Sequence, residues 1–178
     1  MTGDLLARLH GYAAAARGME IAYRLLAVRL RSRRELADRL GRRGVPPGTI
    51  EELLAELSRR GLIDDARFAD AWVRGRLALR PSGVARLRQE LLRKGVSREI
   101  VDQAVRSALA DRGDSELALA LAVAGSRAAR YRGLSREVVY RRLGALLQRR
   151  GFSAGVIAQV LRSVLASQDN FQGADAGS

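Results

Sequence analysis

Cysteine is absent from this chain of 178 residues, and histidine occurs once, at His10. The first absence excludes disulfides, thiol nucleophiles and cysteine metal centres; the second leaves one imidazole and no histidine ligand set. Aromatic residues make up 4% of the sequence, too few for a row of base-stacking platforms. Long apolar runs are missing too. The longest nearly apolar stretch, LALALAVAG from Leu117, falls far short of the roughly 20 residues that span a bilayer. The opening MTGDLLARLHGY carries an acid early and has no long apolar centre, so it does not read as a signal peptide, and a cytoplasmic location is expected. No GxxxxGK[ST], HExxH or Cys/His dyad is present. Asp64 and Asp65 are adjacent carboxylates, but adjacency at a helix start points them apart, and one of them is expected to cap the helix beginning near Ala66. Neither an enzyme nor a cofactor or metal site is expected.

What the chain has in excess is positive charge. Lys and Arg total 32 against 19 Asp and Glu, a formal +13, which favours polyanions or acidic protein surfaces as partners. Lys94 is the only lysine among these cations, a bias that a GC-rich coding sequence explains more simply than selection for guanidinium forks.

A basic turn recurs. Leu-x-x-x-Leu-x-Arg-Arg/Lys-Gly-Val/Phe stands at Leu36–Val45, at Leu87–Val96 and at Leu143–Phe152, and each copy is followed by a branched apolar residue, Ile50, Ile100 or Val156, that opens another periodic run. Self-similarity at roughly 50 residues implies a repeated supersecondary unit. Each unit reads as three helices: near 20–30, 33–43 and 49–60; near 65–80, 83–94 and 98–111; near 115–130, 136–150 and 154–166. Ser32 with Glu35 and Thr49 with Glu52 are spaced as capping boxes, while Pro46 and Pro47 alternatively fit the first turn of the third helix. Ser97, Ser135 and Ser153 are placed as further N-caps. Apolar residues recur at three and four spacings, as in Leu53, Leu54 and Leu57, giving each helix one buried stripe. The expected fold is all-α, an elongated array of three tandem three-helix repeats with about nine helices. Residues 1–18 form a weakly ordered N-terminus, 19–64, 65–113 and 114–166 the repeats, and 167–178 a disordered tail.

A fourth copy of the turn, Leu53 to Leu62, lies at the end of a different helix of its unit. The motif therefore serves first as a helix stop, with glycine free to turn left-handed, the next apolar residue packing back, and arginine offsetting the helix dipole. Charge segregation is more informative. Residues 33–43 carry net +3, residues 83–94 net +3 and residues 136–150 net +4, whereas the third helices are close to neutral. Arg86 and Arg93 are seven apart, about two helical turns, as are Arg142 and Arg149, so each pair shares one side of its helix. Stacked units would align these into a basic stripe. An ordinary solvated face is the alternative.

A tandem helix-turn-helix reader fits poorly, because the first candidate recognition helix opens with Glu51, Glu52 and Glu56, which would repel phosphates. Phe68 and Trp72, four apart, are expected in the core rather than as stacking platforms.

The stretch GLIDDARFADAWVRGRLALRPSGVARLRQELLRKGVSREIV, Gly61 to Val101, resembles the RecX family of bacterial recombination regulators through Gly61-Leu62-Ile63-Asp64-Asp65, Phe68-Ala69, Arg76, Gly83, Leu87, Glu90-Leu91 and Lys94-Gly95-Val96. Looser similarity extends over roughly residues 20–166. The resemblance implies a modulator, usually an inhibitor, of the RecA recombinase, lying along the groove of the filament RecA forms on single-stranded DNA, with DNA contact in some members. It implies work in recombination and DNA repair; a monomer without membrane contact is expected. The candidate contacts are Arg42, Arg43, Arg76, Arg86, Arg88, Arg93, Lys94, Arg141, Arg142, Arg149 and Arg150, with Arg86, Arg93, Arg142 and Arg149 foremost and Arg76 also suited to an internal pair. Departures from the pattern are the longer turn at Pro46-Pro47-Gly48 and the Arg-rich loop SRAARYRGLSRE. A general DNA-binding helical protein is the alternative.

Overall fold

The computed structural model describes residues 2–113, 115–131 and 133–175, with side chains left out of the description at 2–7, 128–129 and 167–175. Among the described residues all regular structure is helical: α1 (Thr2–Val28), α2 (Arg33–Gly41), α3 (Pro47–Arg59), α4 (Asp65–Leu79), α5 (Val84–Arg93), α6 (Arg98–Asp111), α7 (Glu116–Gly125), α8 (Ala128–Tyr131), α9 (Arg136–Arg149) and α10 (Ala154–Asp175). Nine of these make the three-helix repeats, and α8 is a single turn inside the Arg-rich loop. At the ends α1 starts at Thr2 and α10 runs to Asp175; the remainder of the expected tail, and the side chains from 167, lie outside the described residues. None of the helices is long and apolar enough to cross a membrane.

The recurrent turn stops its helices by backbone geometry. Gly44, Gly61, Gly95 and Gly151 all sit at positive φ, between 66° and 80°. In each copy the amide after the glycine donates back to the leucine that ends the motif's spacing: Val45 to Leu40, Leu62 to Leu57, Val96 to Leu91 and Phe152 to Leu147, at 2.9 to 3.2 Å. This closes carbonyls that a helix end leaves unpaired. Val45, Val96 and Phe152 then fold under the helix and are buried, whereas Leu62 stays partly exposed.

Of the expected caps, Ser32 accepts from the Glu35 amide at 3.1 Å, Ser97 receives the Ile100 amide at 3.4 Å, and Asp64 takes the amides of Ala66 and Arg67 at 2.8 and 3.1 Å. Thr49 does not cap: α3 begins at Pro47 behind Pro46, because the fixed φ of proline suits a first turn that needs no amide donor. Ser135 occupies the N-cap position without a side-chain bond, and the Ser153 hydroxyl donates instead to Glu116 at 3.2 Å.

Contacts divide the chain into two compact units, residues 1–71 with 91–101, and residues 72–90 with 102–178. In the first, α1, α2 and α3 pack on one another around Ala22, Leu25, Leu36, Leu40, Val45, Ile50, Leu53, Leu54, Leu57 and Ile63. Each fully buried leucine contributes about 1.5–3 kcal/mol through removal from water. Phe68 is buried here, as expected of a core residue. In the second unit α7, α9 and α10 pack mutually, and Leu119, Val123, Val139, Leu143, Leu147, Val160 and Leu161 are buried. Trp72 is half-buried, with the Arg76 guanidinium 5.8 Å from its ring centre.

Candidate partner-binding surface

Neighbouring repeats join through the start of a second helix. The first joint lies within the first unit. There the Arg33 amide, at the first position of α2, donates to the Asp65 carboxylate of α4 at 2.8 Å, and the Ser32 hydroxyl donates to the Lys94 carbonyl at 2.6 Å. Gly95 rests against Arg34 so closely that a Cβ on the glycine would come within 2.5 Å of the Arg34 Cβ. The second joint repeats this within the second unit. At the first position of α5 the Val84 amide donates to Glu116 of α7 at 3.0 Å, the Gly83 amide donates to the Arg150 carbonyl at 2.9 Å, and Gly151 packs on Arg86. An acid from the following repeat therefore caps each helix, and the following repeat's glycine turn covers it.

These joints, and ion pairs inside the second repeat, engage several of the candidate cations. The Lys94 ammonium is 2.6 Å from Glu35, which also receives Arg29 at 3.1 Å, and lies 5.9 Å from the Phe68 ring centre. Burial alone would raise the Glu35 carboxyl, but the bonds from Arg29 and Lys94 outweigh it and hold the group below its ordinary range. Arg76 grips Glu90 with two nitrogens, at 2.9 and 2.7 Å, and that bonding outweighs burial and raises its guanidinium further. Arg86 turns inward to Glu90 at 3.0 Å and to the Arg149 carbonyl at 3.0 Å, so it does not stand free beside Arg93 as its spacing predicts. Arg88 pairs with Asp102 at 2.7 Å, and Arg150 donates to the Pro81 carbonyl at 3.0 Å.

A second group points outward. Arg93, Arg141, Arg142 and Arg149 are exposed, and their side chains hold no hydrogen bond or ion pair among the described residues. Arg42 is likewise exposed and unpaired, at the end of α2, while Arg43 reaches only the Arg39 carbonyl, at 3.5 Å. Three of these free cations, Arg141, Arg142 and Arg149, belong to α9. They stand on long stems at the surface, which suits contact with anionic partners.

Sequence reasoning missed Arg31, between α1 and α2. It is 6% exposed, and its Nε donates to the Leu25 carbonyl at 3.1 Å, closing the end of α1. The signal was available: an arginine just beyond a helix end is a common partner for its last carbonyls.

The three repeats coincide with known domain models. Residues 19–57 match the first three-helix domain of RecX, residues 64–105 the second and residues 114–161 the third. The regulatory protein RecX of Streptomyces lividans is 39% identical over 148 residues, covering 83% of this chain and 77% of the relative. That of Halorhodospira halophila is 36% identical over 159 residues, covering 86% and 91%. The crystal structure of RecX from Lactobacillus salivarius shares the fold, with a TM-score of 0.75 over 86% of this chain and 97% of the other at 23% identity. These relatives are named as regulators rather than enzymes. With all three domain models matched in order and identity above one third over most of its length, the chain belongs to the RecX family.

Proposed function

We propose that this protein binds the filament formed by RecA on single-stranded DNA and lowers its ATP hydrolysis, extension and strand exchange, acting as a cytoplasmic monomer in recombination and DNA repair. The observation that carries the reading is the set of unpaired arginines on α9, Arg141, Arg142 and Arg149, in a chain of the RecX family. Guanidinium groups free of internal partners are available to acidic protein surface or to phosphate. Arg93 and Arg42 extend the set. Weak contacts made by several repeats on adjacent protomers add through effective concentration, so a modest affinity per repeat suffices.

The test is a titration into RecA on single-stranded DNA with ATP, following hydrolysis, beside a naked-DNA control at the same salt. Hydrolysis is expected to fall at protein levels well below RecA and below those that coat DNA. Inhibition only at saturation of the DNA itself would mean a competing DNA binder independent of RecA, the other reading that the net charge of +13 supports.

A further inference from the structure

The two joints are built alike but charged differently. Counting from the shared leucines, Arg29, Glu35 and Lys94 of the first joint correspond to Arg80, Arg86 and Arg150 of the second. In the first, the Glu35 carboxylate sits between two cations, at 3.1 Å from Arg29 and 2.6 Å from Lys94. The second has a third cation where that carboxylate belongs. Carbonyl groups gather these arginines: Arg150 donates to Pro81, next to Arg80, and Arg86 donates to Arg149, next to Arg150, both at 3.0 Å. Among the described residues, the acids bonded at this joint, Glu90 and Glu116, are already engaged. Glu90 holds Arg76 by two bonds as well as Arg86, and Glu116 accepts from the Val84 amide and the Ser153 hydroxyl. The Arg150 Nε is buried without a hydrogen-bond partner among the described residues, a costly state for part of a cation. Burial first, and then Arg80, Arg127 and Arg86, push the Arg150 guanidinium below its ordinary value.

We propose that the joint between the second and third repeats is a binding site for phosphate oxyanions, formed by Arg80, Arg86 and Arg150 with Arg127 beside them. The number of cations selects the ligand. No carboxylate among the described residues is paired with more than two cations; Glu35, Glu56 and Glu90 reach that number. Three or four guanidiniums without a free acid among the described residues suit a group with more acceptor oxygens and further charge nearby. A nucleic-acid backbone and a free polyphosphate both present that chemistry. Because the site straddles the joint, an occupant also ties the third repeat to the second and stabilises the folded chain. None of this depends on RecA.

The test uses the full chain alone, with sodium tripolyphosphate and a fluorescent thirty-nucleotide oligo(dT) as probes, read by thermal midpoint and by anisotropy. Tripolyphosphate is expected to raise the midpoint and to displace the oligonucleotide. Arg80→Glu with Arg127→Glu alters two side chains that hold no hydrogen bond or ion pair among the described residues. It is expected to abolish the midpoint rise, weaken oligonucleotide binding at least tenfold and reduce the salt slope by about 1.4, at about 0.7 for each single-strand phosphate that is no longer neutralised. Arg67→Glu with Arg98→Glu makes the same charge change within the first unit and is expected to alter affinity less than about twofold. Arg86→Gln removes one of the cations without placing an acid beside Glu90, and is expected to weaken the tripolyphosphate effect measured from that variant's own midpoint. Loss of the midpoint rise with oligonucleotide affinity unchanged would keep the site and assign it to free polyphosphate. Equal losses in the joint and control pairs would overturn it, leaving only diffuse charge; so would displacement by poly-glutamate with no response to tripolyphosphate.

Discussion

Arg76 and Glu90 meet as two planar groups, Nε to Oε2 at 2.9 Å and Nη2 to Oε1 at 2.7 Å, linking α4 to α5 inside the second unit. A residue that a partner-seeking reading counts among free cations is thus part of the internal frame, and the same carboxylate also steadies Arg86.

Arg76→Lys is expected to destabilise the fold by about 1 kcal/mol, because an ammonium replaces two parallel bonds with one. Glu90→Gln, which deprives both arginines of their charge partner, is expected to cost about 1–2 kcal/mol. Urea unfolding of the two variants measures both.

Acid is expected to weaken the protein below about pH 4.5. Burial by itself would raise Glu35 and Glu90, but hydrogen bonds from Arg29 and Lys94 on the first, and from Arg76 and Arg86 on the second, hold both below the usual carboxylate value. Groups lowered on folding contribute stability that is fully present above the unfolded value, about 4.3, and is lost as pH falls through the folded one. A thermal midpoint followed from pH 7 to pH 3 should drop steeply at its acid end, and less steeply with Glu35→Gln and Glu90→Gln together.

Gly151→Ala and Gly44→Ala separate the two tasks of the recurrent turn. Both glycines have positive φ, which costs an alanine about 1 kcal/mol. Gly44 has open space around its missing Cβ, whereas a Cβ at Gly151 would lie 2.7 Å from the Arg86 backbone nitrogen. Gly151→Ala is therefore expected to cost about 1–3 kcal/mol more, from overpacking at the joint. Calorimetry of the pair provides the comparison.

Arg141→Glu with Arg142→Glu is expected to leave stability within about 0.5 kcal/mol of the parent, since exposed unpaired side chains support nothing internal. The same variant is expected to weaken inhibition of the RecA filament. Unchanged inhibition beside an unchanged melting curve would remove α9 from the contact surface.

The helix-stop motif, the three-helix repeats and the buried leucine stripes were legible because each rests on spacing within one short segment. Asp64 as a cap belongs to that class. The fate of individual arginines was harder to read, since it depends on partners that spacing does not supply. Lys94 finds Glu35 from 59 positions away, and Arg88 finds Asp102 from 14. Arg86 is the instructive exception. Its bond to Glu90, four residues on, follows the ordinary helix rule, whereas its bond to the Arg149 carbonyl required the joint to be known. Net charge per helix counted these side chains without asking which were already engaged.

The caps of α2 and α5 also set an order in time. Each helix start is completed by a carboxylate encoded further along the chain, Asp65 for the one and Glu116 for the other. As a ribosome delivers the chain from its N-terminus, α2 emerges with its first amide open and is closed only when α4 begins to appear. The same delay separates α5 from α7. Assembly is thereby given a direction, with the first and second repeats each provisional until the next one arrives.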